Sequence, residues 1–265
     1  MRCASCVGRR ALGLGALGSA GCGGFVSLDI RYSLFIILGI QLSAIPPDRL
    51  TGSPALIETA RIVSGRLPLL SLHNARLSIS CRALGVPFPG PLGVPAGVGD
   101  GVVRFEVSAG GVDVSLRPPI PQFRNPAPIK LVLSDVAHRP YPHKTTDRGQ
   151  FDDALARARR QGADDGLMRT LDGHVAECAI WSVFWWEGEG LMCPSLEIGV
   201  LPGVARARLS QLVPLEERRV GPVALAGRAL FVANAARGVV GVGSLNDRDV
   251  PEDPRTAELM GRFWG

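Results

Sequence analysis

"PPIPQFRNPAP", residues 118–128, divides the chain. Pro118, Pro119, Pro121, Pro126 and Pro128 fall within eleven residues. Proline lacks a backbone N–H and fixes φ, so such a run fits neither a central strand nor a helix interior. It reads as a linker between two parts that each carry their own pattern.

The part before it is short and mixed. "PALIETARIVSGRLPLL" (54–70) predicts a strand, a Ser64-Gly65 turn and a second strand. "SLHNARLSISCRALG" (71–85) switches to helical spacing, with Leu72, Ala75, Ile79 and Ala83 on one face and Gly85 as the stop. "VVRFEVSAGGVDVSLRP" (102–118) alternates twice around Gly110-Gly111 and predicts a hairpin.

After the linker, "IKLVLSDV" (129–136) reads as a strand and "FDDALARARRQG" (151–162) as a helix. "GLMRTLDGHVAECAIWSVFWWEGEGLMC" (166–193) is a run of strands, turned at Asp172-Gly173 and between Glu187 and Gly190. Within it, "HVAECAIWSVFWW" reads as one apolar strand. A helix is expected to begin near Pro202-Gly203, and "RALFVANAARGVVGVG" (228–243) reads as a strand running into a loop. Together these predict an α+β fold: a small α/β part over 51–120 and a larger β-rich part over 129–265, with a ligand in the cleft between them.

Residues 1–50 show no comparable order. "GRRALGLGALGSAG" has something of a twin-arginine export signal, and "YSLFIILGIQLSAI" is too short an apolar run to span a membrane as a helix. The segment is expected to be an atypical extension, disordered or read from an upstream start.

Composition sets bounds. With 265 residues, 46% hydrophobic and 20% charged, the chain is long enough for a sizeable core. Its net charge of +5 is mild, and the arginine clusters at 157–160 and 218–219 carry no interleaved aromatics. A nucleic-acid partner is not expected, nor a membrane, and the positive balance suits an acidic or phosphorylated small molecule. Cys3-Ala-Ser-Cys6 has no second pair at zinc spacing, so no metal site is expected, and the other cysteines read as small core residues.

The chain holds two lysines, Lys130 and Lys144, against twenty-seven arginines. Lys130, in "IKLVL", reads as an edge or snorkelling lysine. Lys144, in "YPHKTTDRGQ", is either a solvated loop charge or a primary amine kept for Schiff-base chemistry, with pyridoxal phosphate the commonest carbonyl partner. Such a site also needs an anion for the ring nitrogen and a cup of backbone N–H groups for phosphate. Glu177 lies in an apolar strand, where an unpaired carboxylate is costly. "GVLPGVAR" puts Gly and Pro at a helix start, and Arg76 lies mid-helix one turn after His73.

Read together and in order, five segments resemble the class IV aminotransferase family, the fold-type IV pyridoxal-phosphate enzymes. They are "ALIETARIVSGRLPLLSLHNARL", "HKTTDRGQFDDA", "VAECAIWSVFWW", "GVLPGVARARL" and "FVANAARGVVGV", spanning about residues 53–245. The "LIET", "HKTT", Glu177-Cys178 and "NAARG" details look most like the 4-amino-4-deoxychorismate lyase branch.

The resemblance implies a two-domain fold with a pseudo-barrel in the larger domain, a homodimer and a cytoplasmic setting. It implies that Lys144 forms the Schiff base and moves protons, that Glu177 pairs with the ring nitrogen and that Arg76 binds the cofactor phosphate. Leu201, Gly203, Val204 and Ala205 match the first phosphate loop, and Asn234 and Ala235 the second. It implies a lyase acting on aminodeoxychorismate, or an aminotransferase of branched-chain or D-amino acids. A non-catalytic relative is the third reading. Residues 1–50 lack the family's usual opening strands, Ser182 stands where an Asn is usual, and Phe151 replaces a common Tyr.

Overall fold

The computed structural model describes residues 54–118 and 126–265. The expectations for residues 1–50 and most of the proline-rich linker lie outside these.

Two sheets organise the described residues. The first has three antiparallel strands in the order β1 (Leu56–Ile62), β2 (Gly101–Ser108) and β3 (Gly111–Arg117). Its period-2 alternation separates two faces. Leu56, Ala60, Ile62, Val103, Phe105 and Val107 pack with Leu77 and Cys81 of helix α1 (Leu70–Leu84). The opposite face carries Thr59, Val102, Arg104 and Arg117. Gly85, with φ +66°, ends α1 in the left-handed conformation that favours glycine.

The second sheet has nine strands. β4 (Ile129–His138) leads through α2 (Gly149–Arg160) into the parallel strand β5 (Asp165–Thr170). β6 (Val175–Cys178), β7 (Ser182–Glu187), β8 (Gly190–Pro194) and β9 (Leu215–Arg218) follow, then β10 (Leu230–Asn234), β11 (Gly238–Leu245) and β12 (Arg248–Asp249). The order is β6-β5-β4-β11-β10-β7-β8-β9, with β12 on β11. The sheet curls into a half-barrel: β6 and β7 stand apart in that order, yet the Cys178 N–H donates to the Trp181 carbonyl at 2.9 Å. Leu131, Leu167, Val183, Trp185, Val232 and Val240, from five strands, meet in one core. On the other face, helices α3 (Val204–Leu212) and α4 (Pro254–Arg262) cover Phe184, Phe231 and Val239.

Five local expectations need correction. The Ser64-Gly65 turn forms, with φ of 49° and 69°, but only the Val63–Arg66 bridge follows it. Pro68 interrupts the return, α1 begins at Leu70, and β1 pairs instead with β2. The buried face of α1 is His73, Leu77, Ser80 and Cys81, while Ile79 and Ala83 are exposed. "HVAECAIWSVFWW" is not one strand but breaks at 179–181 into β6 and β7. The loop expected after β10 is a tight turn at 235–237, and β11 returns antiparallel to β10. Lys130 is exposed, but at the start of an interior strand, since β4 lies between β5 and β11.

Candidate active site

The two sheets and the loops between them enclose a cavity of about 520 Å³. Lys144, Arg76, Glu177, Leu201, Gly203, Val204, Ala205, Asn234 and Ala235 all line it. Segments up to 159 residues apart in sequence (76 to 235) therefore converge on one space.

Lys144 is held by its backbone. Its carbonyl accepts from the Ile57 N–H at 2.7 Å, and Thr146 N–H donates to the Ala55 carbonyl at 2.8 Å. The lysine segment is thus stitched to the start of β1. Just behind it, the Tyr141 hydroxyl donates to the Thr145 carbonyl at 2.6 Å and accepts from the Thr145 N–H at 2.5 Å. The Tyr141 ring meets Phe151 edge-on at 4.6 Å, so the phenyl that replaces the family's usual tyrosine packs against another tyrosine.

The Lys144 amine opens on the cavity but is ringed by protein. Desolvation, then the charges of Arg76 and Arg148, pull its pKa from 10.5 down to about 7, against the opposing pull of Glu58 and Glu177. A useful fraction of the amine is therefore neutral and nucleophilic near pH 7.

Glu177 is buried in β6. Its Oε1 accepts from His138 Nε2 at 3.0 Å and from the Leu201 N–H at 3.0 Å. His138 ends β4 and its Nδ1 has no partner. These contacts fix the carboxylate at the cavity wall and satisfy one oxygen.

The start of α3 could hold an anion. Gly203 is its N-cap, and no side chain caps the first-turn N–H groups, which bring the positive end of the helix dipole to the cavity. A Cβ at Gly203 would lie 3.1 Å from Ser182 Oγ, so glycine lets backbone and hydroxyl approach closely. Ser182, at the usual Asn position, thus sits beside that helix start. Across the cavity, Asn234 Oδ1 accepts from the Ala236 and Arg237 N–H groups at 3.1 and 2.8 Å, folding the second loop.

Arg76 lines the cavity, but Glu58 holds much of it. Nε donates to Glu58 Oε1 at 2.9 Å and Nη2 to Oε2 at 2.5 Å, while His73 Nδ1 lies 2.6 Å from Oε2. Nη1 is the guanidinium nitrogen left for an anion. Burial pushes the Glu58 carboxyl up, but Arg76 and His73 outweigh it and bring the pKa down to about 2.

Sequence reasoning missed Glu58, His138, Arg148 and the arginines of the small sheet. Glu58 carried a signal: in "LIETARI" it falls on the inward alternation with Leu56, Ala60 and Ile62, where a carboxylate requires a partner. Arg104 and Arg117 fall on the outward alternation. β-pairing sets Arg104 opposite Ser115 and Arg117 opposite Val102, so the two guanidinium groups share the cavity-facing side. Six basic side chains and two acidic ones, Asp152 and Glu177, line the space. Among the described residues no cluster suits a metal ion, and no helix is long and apolar enough to cross a membrane.

A curled sheet whose open side gathers a deprotonatable lysine, a buried carboxylate and an uncapped helix start defines the fold-type IV class of pyridoxal-phosphate aminotransferases and lyases. The chain belongs to the amino-transferase class IV family, whose model matches residues 96–245.

Two relatives show its breadth. A Schizosaccharomyces pombe protein provisionally named aminodeoxychorismate lyase is 31% identical over 58% of this chain and 72% of its own length. A Thermotoga maritima protein provisionally named branched-chain-amino-acid aminotransferase is 33% identical over 43% of this chain. That match spans only 45% of the Thermotoga protein. The crystal structure of 4-amino-4-deoxychorismate lyase from Pseudomonas aeruginosa superposes with a TM-score of 0.68. It covers 79% of this chain and 89% of that one at 24% identity, a likeness of fold.

Proposed function

We propose that this chain is a pyridoxal-phosphate-dependent lyase that converts 4-amino-4-deoxychorismate to 4-aminobenzoate and pyruvate. The donor set fits the cofactor. A lysine amine drawn down to about 7 suits an aldehyde, the buried Glu177 suits a pyridinium nitrogen, and the uncapped start of α3 suits a phosphate. Lys144 would hold the cofactor, with Leu201, Gly203, Val204, Ala205, Asn234 and Ala235 around its phosphate and Arg76 contributing Nη1. When bound, pyridoxal phosphate supplies an electron sink for charge that develops at the substrate Cα.

The remaining work falls to the chain's own residues. Lys144, partly neutral near pH 7, would accept the Cα proton and pass it to the methylene carbon of the departing enolpyruvate as the ring C–O bond breaks, so that the group leaves as pyruvate and the ring becomes aromatic. Burial, then the charges of Arg76 and Arg148, keep the amine's hold on that proton weak enough for it to be passed on, while His138 and the Leu201 N–H hold the Glu177 carboxylate at the cavity wall.

One observation favours the lyase over the transaminase: the arginine wall of the small sheet. The lyase substrate carries two carboxylates, and beyond the phosphate loops the cavity is lined by Arg117 and by Arg104, whose Nε donates to Glu106 Oε1 at 2.6 Å and whose two Nη groups remain for an anion. A branched aliphatic side chain would gain nothing there and would desolvate guanidinium groups. The Thermotoga likeness supports the transaminase as second reading, which shares Lys144 but ends with the amino group kept on the cofactor. Formation of aminated cofactor with D-alanine or a branched amino acid, without pyruvate from aminodeoxychorismate, would favour it.

The direct assay is pyruvate release from 4-amino-4-deoxychorismate by protein carrying its cofactor. Pyruvate and 4-aminobenzoate in equal amounts are expected, and none with cofactor bound contradicts the lyase. The Arg104→Met, Arg117→Met double variant should lose roughly 10²-fold or more in kcat/KM, mainly through KM, on the scale of one to two charge-assisted hydrogen bonds. Cofactor affinity, measured by titration of its absorbance, should stay within about threefold.

A further inference from the structure

The break between β6 and β7 is tied to a residue that the chemistry above does not use. Asp165, the first residue of β5, is fully buried. Its Oδ1 accepts from the Gly166 N–H at 2.7 Å and the Ala179 N–H at 3.1 Å, and its Oδ2 accepts from the Ile180 N–H at 3.0 Å. The carbonyls of the same two turn residues are held from elsewhere. Arg148 Nη2, four residues past Lys144, donates to the Ala179 carbonyl at 2.8 Å. Asn234 Nδ2, in the second loop, donates to the Ile180 carbonyl at 3.2 Å. Ala179 and Ile180 themselves line the cavity, two and three residues after Glu177.

We propose that Asp165 is a positioning residue: by anchoring the 179–180 turn, it holds the lysine segment, the Glu177 strand and the Asn234 loop in register around the cavity. Three separate pieces of the site meet at these two peptide groups. A buried carboxylate is a strong acceptor for backbone N–H groups, and no apolar residue could organise the turn in this way. The charged and titratable groups acting on it are Arg148 from the start of α2, Arg237 from the β10–β11 turn and Cys178 from β6. Burial pushes its carboxyl up to about 6, against the pull of the three N–H bonds and Arg148, so it is ionised at neutral pH.

The test is Asp165→Asn. Its amide keeps one acceptor oxygen and faces the other set of N–H groups with a donor. In cofactor-free protein, competitive acetylation followed by peptide mass spectrometry reads the pH profile of Lys144, with Lys130 as internal reference. The variant should move the Lys144 midpoint up by about one pH unit, because Arg148 no longer holds its place beside the amine. The affinity for pyridoxal phosphate should fall about tenfold or more. Asn234→Ala, which cuts the turn's other anchor without touching Lys144, should move the same midpoint in the same direction and decides the matter alone if Asp165→Asn does not fold.

An unchanged Lys144 profile in the folded variants, whatever their melting temperature, would reduce Asp165 to a structural residue and overturn the proposal. The cofactor arm rests on the function proposed above, but the acetylation arm does not. Wild-type protein that ignores pyridoxal phosphate would count against that function while leaving the acetylation result to judge Asp165.

Discussion

Lys144→Met is expected to abolish cofactor-dependent turnover, by at least roughly 10³- to 10⁴-fold, and at the same time to stabilise the cofactor-free fold. On the proposed function, the first effect follows from removing the group that would serve both as covalent anchor and as proton carrier. Lys130 cannot replace it, being exposed at the start of β4 and absent from the cavity wall. The second follows from the cost of burying an ammonium, and then of placing it beside Arg76 and Arg148.

The amine's pKa is about 7 when folded and near 10.5 when unfolded, so between these values the unfolded chain binds more protons. Stability therefore rises with pH across that window, and the full penalty is present below pH 7. Relieving it with methionine should gain roughly 2–4 kcal/mol at or below pH 7, shrinking toward zero near pH 10.5. Thermal melts of the two cofactor-free proteins at pH 6.5 and pH 10 check this. A variant less stable than wild type at pH 6.5 would mean that Lys144 is not held in a charge-hostile site.

Glu58→Gln should be the most damaging change to stability. The Glu58 carboxylate binds Arg76 through two nitrogens and also His73, all on the buried side of the small sheet. Its loss strands a buried guanidinium, a situation that costs roughly 3–5 kcal/mol. For a protein of this size that is about 10 °C of melting temperature. The pH dependence has the opposite sense to that of Lys144. The Glu58 pKa is about 2 when folded and 4.5 otherwise, so its contribution is complete above about pH 4.5 and is lost as pH falls toward 2. Wild type and variant should therefore converge in acid, as read by urea titrations at pH 7 and pH 3.

The same pair explains why one helix misled sequence reasoning. Leu72, Ala75, Ile79 and Ala83 make the more apolar face of α1, yet the helix buries His73 and Ser80 with Leu77 and Cys81. The buried face is polar because Glu58 waits beneath it, a fact visible only once β1 and α1 are packed. The strands were more legible. Alternation in β1 and β2 and the glycines at the hairpin and helix ends fixed the elements, because each depends on residues close in sequence.

The 179–181 turn was hidden because nothing within it marks a break. No glycine or proline stands there, and its N–H groups are satisfied by Asp165, fourteen and fifteen residues earlier. The site was legible in part for the same reason. Lys144, Glu177 and the Gly203 helix start carry their own chemistry, whereas His138, Arg148, Arg104 and Arg117 gain meaning only from strand register and the curl of the sheet.

The central claim is that Lys144 is the amine around which this cavity is built. Incubation with pyridoxal phosphate, borohydride reduction and peptide mapping test it without reference to any substrate. One phosphopyridoxyl group on the peptide containing Lys144, none on the peptide containing Lys130 and none at all in Lys144→Met is the predicted result. Label on Lys130, or no label on the folded wild-type protein, would contradict it.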